Sequence, residues 1–71
     1  MEEIKASMAG NVWKIMVEEG DNVEEDQDIV ILESMKMEIP IAAEGPGTVK
    51  EIKVAEGDFV NEDDSIAIIS D

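Results

Sequence analysis

Residues 10–32, GNVWKIMVEEGDNVEEDQDIVIL, return at residues 47–69 as GTVKEIKVAEGDFVNEDDSIAII. The offset is 37 with no gap, and twelve of the 23 aligned pairs are identical. Two copies are too few for a solenoid. They suit one domain spanning residues 1–71, its halves related by an approximate two-fold axis and each covering the other's apolar face.

Both copies follow one order. A strand (12–17; 49–54) ends in Glu-Gly-Asp (19–21; 56–58), a turn in which glycine can take positive φ. A short extended piece carries Val23 or Val60, and an acidic stretch follows (24–26; 62–64). A second strand closes the copy at 29–32 or 66–69, nearly continuous in apolar residues, as in strands covered on both sides. The inward parity slips between Val12 and Ile15 and between Val49 and Ile52, which predicts a bulge or a twist in each copy. The expectation is an all-β sandwich or flattened barrel of about eight short strands.

Composition agrees. Ten Ile and seven Val stand against a single Leu, a bias toward strands. Five Lys and no Arg face nineteen Asp and Glu, for a net charge of −14. Such a surface repels nucleic acid and anionic membrane, so neither is expected as a partner. With no His and no Cys, Ser-His and Cys-His dyads are excluded, disulfides are absent, and no enzyme activity is expected. A calcium loop starting at Asn61 would need Gly where Ile66 stands, and its closing Glu would fall beyond the sequence, so no metal site is expected. The longest apolar run, 29–32, is far short of a membrane span, and the opening Met1-Glu2-Glu3 is unlike a secretory signal. A soluble cytoplasmic monomer is the expectation.

Between the copies lies Glu33-Ser34-Met35-Lys36-Met37-Glu38-Ile39-Pro40-Ile41. Met37, Ile39 and Ile41 alternate with Glu38, Pro40 and Ala42, the pattern of a half-buried strand. Pro40 cannot donate to a ladder and points to a sheet edge. The preceding strand then meets this one in a tight hairpin around Met35-Lys36. Two-residue hairpins favour Asn-Gly or Asp-Gly, because both central residues need positive φ. Met-Lys is poor turn chemistry, and a local rule broken at a tip suggests a function there.

Lys36 is the only cation between Lys14 and Lys50. It is either a solvated turn lysine between two core-filling methionines or an exposed amine between adaptable apolar side chains that a partner reads. An exposed tip offers no desolvation to favour the free amine, so spontaneous Schiff-base chemistry is disfavoured. Acylation by another enzyme suits such a lysine better.

The segment 33–38 resembles the biotin-attachment motif of biotin carboxyl carrier domains, in which Met-Lys-Met marks the modified lysine. Gly47-Thr48-Val49, the two Glu-Gly-Asp turns and the length extend the resemblance over the whole chain, closest to the stand-alone biotin/lipoyl attachment proteins. The resemblance implies a flattened barrel of two four-stranded antiparallel sheets. It implies that Lys36 is biotinylated by a biotin protein ligase, with Glu33, Met35, Met37 and Glu38 as recognition residues. The arm would carry a carboxyl group from a biotin carboxylase to a carboxyltransferase, and the domain would do no bond chemistry itself. The gapless repeat leaves no room for the thumb that clasps biotin in some carriers. Without a linker or fused catalytic domain, it would meet its enzymes by diffusion.

Lipoyl domains share this fold, and Glu38-Ile39-Pro40 is similar to the Glu-Ile-Pro that often follows their lysine. Their motif usually has Asp before the lysine and Ala after it, where this chain has Met35 and Met37. The methionine pair favours biotin. Lipoate, added by lipoyl-attaching enzymes, is the alternative, as is acceptance of both.

Overall fold

The computed structural model describes residues 2–70. Its elements are β1 (Glu2–Lys5), β2 (Gly10–Ile15), β3 (Asn22–Val23), β4 (Asp28–Ser34), β5 (Met37–Ala42), β6 (Gly47–Ile52), β7 (Phe59–Val60) and β8 (Ser65–Ser70). They form two four-stranded antiparallel sheets, ordered β1-β8-β6-β3 and β5-β4-β2-β7. Shifting the numbering by one repeat exchanges β2 with β6, β3 with β7, β4 with β8 and β1 with β5. That operation turns one sheet order into the other, so the expected two-fold is present. Each sheet takes two strands from each half, and the halves are interlocked rather than stacked.

The core follows the repeat. Val12 and Val49, Ile29 and Ile66, Leu32 and Ile69, and Val30 and Ala67 are four repeat-related pairs, all essentially inaccessible to solvent. At about 25 cal/mol per Å² of apolar surface removed from water, these side chains supply much of the drive to fold.

Both expected irregularities are found, as bulges. Trp13 is skipped in the β2–β4 register and its repeat partner Lys50 in the β6–β8 register. Two more occur at positions the pattern does not announce: Ile29 is skipped in β4–β5 and Ile66 in β1–β8. These bulges correct the expectation that 29–32 and 66–69 are covered on both faces. Ile29 with Val30, and Ile66 with Ala67, are buried as adjacent residues because the skipped residue breaks the alternation. Ile31 and Ile68 are only half-buried, so the outer faces remain open to solvent. β2 and β6 also end at Ile15 and Ile52, two residues short of expectation, although Val17 stays buried after leaving its strand.

The Glu-Gly-Asp turns tie the halves together. Gly20 and Gly57 both have φ of 95°, the conformation glycine was expected to supply. Gly20 N–H donates to the Val49 carbonyl at 2.8 Å, and Gly57 N–H donates to Val12 at the same distance. Asp21 Oδ2 accepts from Glu18 N–H at 2.9 Å, and Asp58 Oδ2 accepts from Ala55 N–H at 2.9 Å. The acidic stretches are more than solvated loops. Asp26 (φ 67°) and Asp63 (φ 71°) hold left-handed positions, which Asp tolerates better than most residues.

Candidate functional site

The β4–β5 hairpin is built for projection. Its ladder runs from Val30↔Ile41 through Leu32↔Ile39 and Glu33↔Glu38 to a last pair, Ser34↔Met37. Two residues, Met35 and Lys36, close it with φ of 52° and 68°. Positive φ at both central positions is the primed turn that matches the twist of a hairpin. Neither residue has the Gly, Asn or Asp chemistry that adopts this conformation cheaply; each left-handed position costs roughly 1 kcal/mol. The unfavourable residues anticipated from sequence therefore do occupy the demanding positions.

Strands behind the turn fix its base. Asn11 of β2 pairs with Glu33. A Cβ placed on Gly10 would lie 2.9 Å from the Glu33 carbonyl oxygen and 3.4 Å from Ser34 Cβ. Only glycine lets β2 pass this close to the end of β4. Its repeat partner Gly47 makes the same approach to Ser70 O, with Ile69 Cγ2 2.6 Å from where its Cβ would be. The identity of residues 10 and 47 was the available signal for this contact. β5 lies at the edge of its sheet, as Pro40 required.

Lys36 is exposed, and no hydrogen bond or ion pair among the described residues engages its Nζ. Met35 is 90% exposed and Met37 63%. These values remove the core-filling alternative, and they correct the half-buried pattern expected at Met37: Ile39 is half-buried and Ile41 buried, but Met37 lies beyond the core. Two thioether side chains thus stand in water beside an amine. Glu33 and Glu38 are directly opposite and both exposed, a like-charge cross-strand pair that disfavours the hairpin. The structure brings Glu33, Met35, Lys36, Met37 and Glu38 into one protruding group. An exposed primary amine on a short, strand-backed turn fits a group joined through an amide.

The domain is thus an interlocked, two-fold barrel with an open hairpin between its halves. Similarity to known proteins identifies the family. The family described as "Biotin-requiring enzyme" (biotin/lipoyl) matches residues 2–69, and the chain belongs to it as a biotin/lipoyl attachment domain. The biotin/lipoyl attachment protein of Bacillus subtilis is 56% identical over 41 residues, which are 58% of this chain. The match spans 56% of that relative's length. Among solved structures, the urea carboxylase of Kluyveromyces lactis superposes with a TM-score of 0.92 at 33% identity, over 97% of this chain and 6% of that one. The lipoyl domain of the 2-oxoglutarate dehydrogenase complex from Azotobacter vinelandii gives 0.82 at 27% identity, over 100% and 98% of the two chains.

Proposed function

We propose that Lys36 is the attachment point and that the domain is a biotin-bearing carboxyl carrier. The observation that carries this reading is the unpartnered Lys36 amine on a turn whose two residues both hold positive φ, between exposed Met35 and Met37. A fold-level need would select Asn-Gly here; a chemical need selects lysine with readable flanks.

In this reading a biotin protein ligase binds the hairpin and removes a proton from the Lys36 ammonium in its own site. Lys36 Nζ would then take the acyl group of a biotinyl-adenylate: the C–N bond forms as the C–O bond to AMP breaks, AMP keeping that electron pair and the nitrogen giving its second proton to the ligase. Met35 and Met37 supply apolar contact to the ligase, and Glu33 and Glu38 supply charge to it. Bound there, biotin supplies a nitrogen that accepts and releases a carboxyl group. The domain contributes tether and exposure, holding the arm at high effective concentration for a biotin carboxylase and then a carboxyltransferase. The likeness to the urea carboxylase supports a carboxylation setting. The domain itself is read as non-catalytic.

Lipoate is the second reading, favoured by Glu38-Ile39-Pro40 after the lysine and by the whole-length likeness to a lipoyl domain. Both cofactors form the same amide, so the turn alone does not separate them. Incubation of the purified protein with biotin protein ligase, ATP and biotin, and separately with lipoate ligase, ATP and lipoate, tests the choice. Faster conversion to an avidin-binding product supports biotin; modification by the lipoate ligase alone overturns it.

A further inference from the structure

The internal two-fold supplies a control within one molecule, because each residue of one repeat copy has a counterpart 37 positions away in the other. Phe59, Asn11, Glu33 and Glu38 form one cross-strand row over β7, β2, β4 and β5. Phe59 is 62% exposed. The counterpart row in the other sheet is Asn22, Thr48 and Ser70, with Thr48 Oγ1 donating to Asn22 Oδ1 at 3.1 Å. That row is neutral and joined by hydrogen bonding. Trp13, two residues along β2 from the Asn11 that faces Phe59 and 48% exposed, has Lys50 as its counterpart. The scaffold therefore folds with Asn and Lys at these places. Yet the face that carries the hairpin has two aromatic rings in water and a pair of facing carboxylates, all of which disfavour the isolated domain.

We infer that Phe59 and Trp13 form a docking surface for the enzyme that acylates Lys36, a partner presenting an apolar recess beside cationic side chains. The inference rests on the proposed function, and distance selects the occupant. Phe59 is two strand spacings from Glu33, roughly 10 Å, and the turn begins two residues further along β4, roughly 7 Å. A standard interface of about 800 Å² per partner is a disc of about 16 Å radius. Centred on Lys36, such a disc covers Phe59. An enzyme acting on the ε-amine itself must come that near, whereas one acting at the far end of a loaded arm can stand off. The aromatic pair provides desolvated contact, and Glu33 and Glu38 orient the basic partner over the hairpin.

Steady-state kinetics with purified biotin protein ligase, ATP and biotin test this, with carrier concentration varied. Phe59→Asn and Trp13→Lys install the residues already present at the equivalent positions of the other copy, and melting temperatures no lower than the wild type's verify that they fold. Each is expected to raise KM for the carrier about tenfold at unchanged kcat, while Phe59→Leu retains most of the affinity and Asn22→Ala on the opposite sheet has no effect. Lys36→Arg protein should inhibit modification of the wild type, and Lys36→Arg/Phe59→Asn should inhibit about tenfold more weakly. If the wild type is modified and both variants keep KM within twofold, or lose only kcat, the docking surface is wrong and the carrier function stands. If the wild type is not modified, both fall.

Discussion

Glu19 of the first copy accepts a hydrogen bond from the backbone N–H of Ile52 in the second, at 3.1 Å, through its carboxylate Oε2. Glu56 returns the bond to Ile15 N–H at 3.1 Å. Each acceptor serves the last residue of the strand that bulges in the opposite half. The Glu of each Glu-Gly-Asp is thus a cross-half clasp, and its identity in the two copies has a structural cause.

Removing either clasp leaves an amide to water alone. Glu19→Ala and Glu56→Ala should each destabilise by about 1 kcal/mol. That corresponds to a fall of roughly 4–8 °C in Tm for a domain of this size. Thermal unfolding followed by circular dichroism reads it; equal melting of both variants and the wild type would show the clasps to be idle.

The turn is where stability and function should part. Met35→Asn places a residue that tolerates positive φ at a position with φ of 52°, and stabilisation of about 1 kcal/mol is expected. The same change removes an exposed thioether and should slow modification of Lys36. Measured together, Tm rises while the ligation rate falls; a lower Tm would mean that the turn conformation is wrong.

Glu33 and Glu38 allow a second separation of this kind. Glu38→Lys converts a like-charge cross-strand pair into an attractive one and should stabilise by about 0.5 kcal/mol, less at high salt. Ligation should weaken, since a basic partner loses one of its two contacts. A variant that is both less stable and equally well modified would contradict both roles.

Glycines sort by geometry. Gly47→Ala drives a Cβ into the Ser70 carbonyl and Ile69 Cγ2, and Gly20→Val forces a β-branched side chain to φ of 95°. Both should destabilise by at least about 2 kcal/mol. Gly45 has open space where its Cβ would be and ordinary φ, so Gly45→Ala should melt within a degree or two of the wild type. Urea unfolding of the three variants ranks them, and a costly Gly45→Ala would break the rule.

Much of this architecture is legible in the sequence. Periodicity and the 37-residue repeat report about eight short strands, the two-fold and an irregularity between Val12 and Ile15 and between Val49 and Ile52, because those features leave a direct mark on the alternation of apolar residues; β1, outside both copies, left no such mark. The bulges at Ile29 and Ile66 left none: an all-apolar run looks the same whether both faces are covered or one residue is skipped. Met37 departs from its pattern for a related reason. Its parity with Ile39 and Ile41 is genuine, but parity assigns a face and not a depth, and Met37 lies past the end of the core on that face. The acceptor role of Glu19 and Glu56 depends on a strand more than thirty residues away, so the Glu-Gly-Asp pattern alone does not announce it. The tip itself was legible through its poor turn chemistry.

The central claim concerns one nitrogen. Intact-mass analysis of the protein from its native host, followed by peptide mapping and repeated with Lys36→Arg, tests it most directly. The account predicts a biotin adduct that maps to Lys36 and is absent from the variant. A biotin adduct that survives Lys36→Arg, or an adduct carrying a dithiolane in place of biotin, would contradict it.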